Sequence, residues 1–260
     1  MSEPVATQPR RPRIGSVPYL NALPLTFGLE GDVRFETPSR LAELLRRDEL
    51  EAALVSVVEV LTTDRYDILD GVAIASRGPV RSVLLAHRIP LAQVRTVHCD
   101  RASLTSVRLL RVLLAEWGIE AAFQPLSDYD GAAQAEAVLL IGDRALDFAR
   151  AGHPHALWDL GEVWEEMTGL PFVFAVWALR RGAHDAPLRA RLREAKEGGL
   201  ANFEALVRAR TDYDLDFRRS YLTTNVRFDL GEAEKQGVAR FVELLNRHGA
   251  GPARLPEYVN

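Results

Sequence analysis

The stretch Arg13-Ile14-Gly15-Ser16-Val17-Pro18-Tyr19-Leu20-Asn21-Ala22-Leu23-Pro24-Leu25, residues 13–25, decides the fold. Arg13 to Val17 reads as a short apolar strand. Pro18 ends it, because a prolyl nitrogen has no hydrogen to donate to a ladder, and Asn21 to Leu29 reads as a helix. A strand running directly into a helix opens an α/β unit, and ligands of such sheets collect at the carboxyl ends of the strands. Asn21 stands at that junction with amide donors and an acceptor. It serves there either as a ligand group or as the cap of its own helix.

Outward from this point, strand and helix patterns alternate. Asp32–Glu36 is a second strand. Thr37-Pro38-Ser39 starts a helix with apolar residues at Leu41, Leu44 and Leu45. Ala52–Val55 is a buried strand, and the turn Arg77-Gly78-Pro79 separates strands at 70–76 and 80–87. A second set follows, with strands at 94–98, 121–124, 137–141 and 156–159 and helices at 106–117, 142–151 and 162–168. The apolar run 172–179 returns from it, and the tail beyond Ala186 reads as helical. The predicted fold is α/β with two lobes, mixed sheets, flanking helices and a cleft between the lobes. Residues 1–10 are expected to be a disordered lead-in, 11–91 the first part of lobe I, 92–179 lobe II, and 180–260 the helical return to lobe I. The crossings are expected near residues 88–94 and 177–184.

Bulk properties narrow the function. The chain has 260 residues, 47% hydrophobic and 26% charged, with a net charge of −4, which suits a globular protein and not a nucleic-acid scaffold. The lone cysteine, Cys99, permits no intramolecular disulfide and no cysteine-rich metal site. No run of about 18 apolar residues is present, and the first residues lack the apolar core of a secretory signal, so the expected setting is cytoplasmic, without a membrane partner. The phosphate-loop, dinucleotide and His-Glu-x-x-His motifs are all missing. Neither a cofactor nor a metal is expected.

Four further sites carry polar groups at element ends. Ser103-Leu104-Thr105-Ser106 places three hydroxyls before a long helix, whose N-terminal N–H groups and positive dipole end suit a carboxylate. An ordinary N-cap is the alternative. Gly78-Pro79-Val80-Arg81-Ser82 either brings Ser82 to the cleft or merely connects strands. Ser56 follows the buried Ala53-Leu54-Val55. Gly142 and Asp143 lie at another strand-to-helix junction, where Asp143 is equally a cap or a ligand contact.

Several segments together resemble one family: RIGSVPYLNALPL at 13–25, PSRLAELLRRDELEAALVSVVE at 38–59, SLTSVRLLRVLL at 103–114, LLIGDRAL at 139–146, DLGEVWEEMTGLPFVFAVWA at 159–178 and LTTNVRFDLGEAEKQGVARF at 222–241. They are similar to the chorismate dehydratases of the futalosine route to menaquinone. The resemblance implies the two-lobed fold of type 2 periplasmic binding proteins. It also implies loss of water from chorismate, a small dianion, to give 3-[(1-carboxyvinyl)oxy]benzoate. Asn21 and Ser82 match positions that the family places at the substrate and are the expected catalytic residues. Ser56, Ser103, Leu104, Thr105, Ser106, Gly142 and Asp143 are the expected substrate contacts, although Ser56 departs from the family's usual proline. No histidine base falls at the expected cleft, so a substrate carboxylate is expected to take the proton, with positioning supplying the catalysis. The alternatives are 1,4-dihydroxy-6-naphthoate synthase, which is expected to show a cleft histidine, and a non-catalytic small-anion binder.

Overall fold

The apolar run Phe172-Val173-Phe174-Ala175-Val176-Trp177-Ala178-Leu179-Arg180 is buried along almost its whole length, as a strand covered on both faces must be. In the computed structural model, which describes residues 13–100 and 104–260, it lies in the interior of a six-stranded sheet. The expected lead-in and Ser103 lie outside the described residues. In chain order the strands are β1 (Ile14–Ser16), β2 (Val33–Phe35), β3 (Ala52–Ser56), β4 (Tyr66–Ser76), β5 (Val83–His87), β6 (Thr96–Cys99), β7 (Ala122–Pro125), β8 (Ala137–Ile141), β9 (Ala156–Asp159), β10 (Phe172–Arg180) and β11 (Tyr258–Val259). The first sheet has the order β11-β4-β10-β3-β1-β2 and the second β7-β6-β8-β5-β9. Both are mixed. In the first, β2, β1 and β3 run parallel while β10 is antiparallel to β3 and β4. In the second, β6, β7 and β8 run parallel while β5 is antiparallel to β8 and β9.

The helices are α1 (Pro38–Arg46), α2 (Val57–Leu61), α3 (Thr105–Glu116), α4 (Gly142–Arg150), α5 (Leu160–Thr168), α6 (Ala186–Ala201), α7 (Phe203–Ala209), α8 (Leu215–Ser220) and α9 (Glu232–Arg247). The segment after β1 is a short 3₁₀ helix, Leu20–Thr26, with Pro24 inside it. Proline has no N–H, so Pro24 contributes no backbone donor to this turn. The tail covers the first sheet as expected. Gly199 of α6 lies so close to the Pro24 carbonyl that no Cβ would fit between them, and Phe241 of α9 packs edge-on against Phe172 with ring centroids 5.0 Å apart.

The lobe boundaries differ from the expectation. Strand β5 belongs to the second sheet and β10 to the first, so the chain passes between sheets at residues 77–82 and 160–171, instead of 88–94 and 177–184. The turn at 77–79 looks like a hairpin, but β4 and β5 do not pair. Gly78 and Arg81 both adopt positive φ, +83° and +61°, and turn the segment away from β4. Asp159 holds this path. Its carboxylate accepts the backbone N–H of Val80 (3.0 Å) and Arg81 (2.6 Å) from the first crossing, and of Gly161 (2.9 Å) and Glu162 (3.3 Å) from the start of the second. The crossings approach so closely that a Cβ on Gly161 would lie 2.5 Å from Ser76 Oγ and 2.7 Å from the Gly78 carbonyl oxygen. Among the described residues, no helix is long and apolar enough to cross a membrane.

Candidate active site

Five helix starts face one cavity between the sheets. They are the 3₁₀ turn at Tyr19–Asn21, α1 at Pro38, α2 at Ser56, α3 at Leu104–Ser106 and α4 at Ile141–Gly142. The positive ends of these starts suit an anion, although the Val58 N–H is taken by the Thr105 hydroxyl, the Leu20 N–H by Asp143 and the Gly142 N–H by the Ser82 carbonyl. Apolar walls come from Val17, Leu54, Ile74, Val80, Val83 and Phe174. The polar side chains of the described lining are all uncharged: Tyr19, Asn21, Ser56, Ser82, Thr105 and Ser106. Carboxylates brought here would be held by hydroxyls and backbone N–H groups on these walls.

Asn21 is the second residue of its 3₁₀ helix, and the N-cap position belongs to Tyr19 with no side-chain cap bond. The cap alternative therefore does not hold for Asn21. Its Oδ1 is buried with no hydrogen-bond partner, while its amide lies against the Tyr221 phenol. Tyr221 is fully buried and donates to Ser82 Oγ at 2.8 Å. Burial pushes the Tyr221 phenol well above its ordinary pKa, and its hydrogen bonds with Ser82 and Asn21 offset only part of that effect. Ser82 is thus drawn to the cavity by the 77–82 crossing. Asn225 steadies that crossing from the tail, donating from Nδ2 to the Pro79 carbonyl at 2.8 Å.

The hydroxyl-rich start of α3 is also not a simple cap. Leu104 occupies the N-cap position, and no side chain caps the helix. The Thr105 hydroxyl instead bonds to the hydroxyl of Ser56 and accepts the Val58 N–H at 3.3 Å. Those two residues belong to the first lobe and Thr105 to the second, so the contact ties the lobes across the cavity. Leu104 and Ser106 both line it.

Gly142 enters α4 with φ +59°, a conformation that favours glycine, and the Tyr19 ring lies over its Cα. Tyr19 has its pKa pushed up to about 12 by burial and by the nearby Asp100 and Asp143 charges. Asp143 is the one expected site residue, among those described, that is not part of the cavity wall. Its carboxyl accepts the Leu20 N–H, fastening α4 to the 3₁₀ turn, and burial raises its pKa despite that bond.

Sequence reading did not single out Tyr19, Tyr221 or Asp159 as site residues. Tyr19 lay inside the quoted first motif, and Asp159 opened the fifth, so both were within reach. Tyr221 had no such signal: it immediately precedes a quoted segment and meets Ser82 from 139 positions away.

The sequence profile described as menaquinone biosynthesis matches residues 12–247. A chorismate dehydratase from Thermus thermophilus is 35% identical, with the match covering 90% of this chain and 96% of that protein. Among solved structures, a protein from Archaeoglobus fulgidus superposes with a TM-score of 0.72 at 16% identity, covering 94% of this chain and 100% of that one. A Candida albicans protein described as having the generic periplasmic binding protein fold superposes with a TM-score of 0.58 at 13% identity, covering 94% of this chain and 91% of that one. The expected periplasmic-binding-protein-like fold is therefore the observed one.

Proposed function

The chain belongs to the menaquinone-biosynthesis family, and on that premise we propose that it is a chorismate dehydratase, a carbon–oxygen lyase working in the cytoplasm. The observation that supports this reading best is the polar make-up of the cavity. Asn21, whose buried amide oxygen has no partner, and Ser82 line a space ringed by helix starts. A dianion with a hydroxyl to lose has matching chemistry. Its carboxylates would rest on the N–H groups and hydroxyls at the α3 and α4 starts, with Leu104, Thr105, Ser106 and Gly142 as contacts and Ser56 holding Thr105 in place. Ser103 remains a proposed contact from its place in the hydroxyl-rich sequence before α3, and Asp143, from its strand-to-helix junction, acts from behind the wall through the Leu20 N–H that it accepts.

In the reaction, the C–H bond beside the ether oxygen breaks and its electron pair forms the new ring double bond. The neighbouring C–O bond breaks and the hydroxyl departs as water, taking up the proton that the substrate carboxylate received from the C–H. The ring becomes aromatic, so the step is strongly downhill. The side-chain carboxylate of the substrate, held near the C–H, receives the proton, and the protein contributes mainly alignment. Asn21 Oδ1 accepts the hydrogen of the leaving hydroxyl, and Ser82 donates to its oxygen as negative charge develops there. A binding protein would need only the anion seat, not a donor and an acceptor aimed at one hydroxyl.

Incubation with chorismate is expected to give an aromatic product lighter by one water, seen by ultraviolet absorbance and mass spectrometry. Unchanged chorismate would overturn the reading. Normal turnover of an analogue lacking the side-chain carboxylate would overturn the proton-transfer step alone.

A further inference from the structure

We propose that Tyr221 is a positioning residue for this elimination: it passes hydrogen-bond direction from the Asn21 amide to Ser82 and so aims the Ser82 hydrogen into the cavity. The inference rests on the functional reading above.

The geometry carries it. Tyr221 is 1% exposed and does not line the cavity, so it acts only through its neighbours. Its hydroxyl has two polar neighbours, with the Asn21 amide on one side and Ser82 Oγ at 2.8 Å on the other. An amide NH₂ can only donate. The phenol oxygen therefore accepts from Asn21, and its own hydrogen goes to Ser82. Ser82 Oγ, occupied as an acceptor, must donate its hydrogen elsewhere. Among the described residues it finds only the Val80 carbonyl at a long 3.4 Å, a bond that a substrate oxygen in the cavity can readily replace. A chain of donors with one consistent direction also polarises each member and strengthens the last. The same arrangement keeps Asn21 Oδ1 as the free end of its amide, facing the substrate's hydroxyl hydrogen.

The ring is fixed independently of the hydroxyl. Tyr221 stacks parallel to Phe217 with centroids 6.0 Å apart, and it begins the short wide turn Tyr221–Asn225 that also sets Asn225 against Pro79. Removing the oxygen alone should leave this framework standing.

The test compares Tyr221→Phe, Ser82→Ala and the double variant with the parent, by steady-state turnover of chorismate and a melting curve for each. Tyr221→Phe is expected to lower kcat about tenfold, on the scale of one lost hydrogen bond, with KM within about twofold. In the Ser82→Ala background the same change should lower kcat by a clearly smaller factor, because the part of its effect that runs through Ser82 is already gone. A ring-fluorinated tyrosine at 221, which keeps the hydroxyl, should retain activity and guards against a folding defect in the phenylalanine variant. Parent-like kcat in Tyr221→Phe, or an equal proportional loss with and without Ser82, would overturn the positioning role. A parent protein that leaves chorismate unchanged would overturn the functional reading and this inference with it.

Discussion

The hydroxyls of Ser56, at the end of β3, and Thr105, at the start of α3, are hydrogen-bonded to each other across the gap between the two sheets. Thr105 also accepts the Val58 N–H, so one side chain of the second lobe satisfies two groups of the first. Both residues are nearly inaccessible to solvent.

Thr105→Val keeps the shape and removes this link. Two buried polar groups then lose a partner, at a cost of about 1–3 kcal/mol for each unsatisfied group. Since the bond joins the lobes around the substrate, KM for chorismate should rise about tenfold or more while kcat changes less. Thr105→Ala combined with Ser106→Ala should raise KM further. Unaltered steady-state kinetics in the double variant would rule out an anion seat at the α3 start.

Asn21→Asp is nearly isosteric but replaces the amide with a negative charge beside a dianion. A loss of at least about two orders of magnitude in kcat is expected, the scale on which misplaced reacting groups cost rate, because the new charge repels the dianion and the amide hydrogen that the Tyr221 phenol accepts is gone. A melting temperature close to the parent's would show that the fold survives. A folded variant with near-normal turnover would remove Asn21 from the chemistry.

Asp159→Ala tests the link between the two crossings. Four backbone N–H groups lose their acceptor, and bonds to a charged acceptor are worth about 1.5–3 kcal/mol each. Some of these groups will find water, so a net destabilisation of about 3 kcal/mol or more is expected, or roughly 6–12 °C in Tm for a chain of this size. Asp159→Asn keeps one acceptor oxygen and should lose less. Equal melting temperatures for all three proteins would show that the clamp does not hold the crossings.

Cys99 is buried, and burial pushes its thiol pKa up to about 12. Since the thiolate is the reactive form, labelling of the native protein by an aromatic disulfide reagent at pH 8 should be at least about a hundredfold slower than in denaturant. The rate should rise with pH, because a raised pKa delays thiolate formation to alkaline solution. Prompt labelling of the folded protein at pH 8 would contradict this placement.

Much of the fold was legible because its signals are local. The break at Pro18, the spacing of Leu41, Leu44 and Leu45, and the unbroken apolar run at 172–179 each depend on neighbours a few residues away. Asn21, Ser82 and the α3 start stood out as polar groups at element ends, and all three face the cavity. Sheet membership was misread at both crossings. An apolar strand such as Val83–His87 has the same pattern whichever sheet receives it, and the backbone turn at Gly78 and Arg81 that chose the second sheet is held by Asp159, nearly 80 positions away. The terminal strand Tyr258–Val259 is too short to carry a period and pairs with β4 only because the tail returns there.

By itself, then, the sequence determined where strands and helices form, that their junctions carry neutral hydroxyl and amide groups, and which family the chain resembles. Only the tertiary structure decided which strands share a sheet, that Thr105 bridges the lobes and does not cap its helix, and that Tyr221 stands behind Ser82. The physical reason is range. Hydrophobic periodicity and backbone propensity act within a few residues, whereas a hydrogen-bond partner or a ladder neighbour is chosen by packing between segments far apart in the chain, 49 positions for Ser56 and Thr105 and 139 for Ser82 and Tyr221.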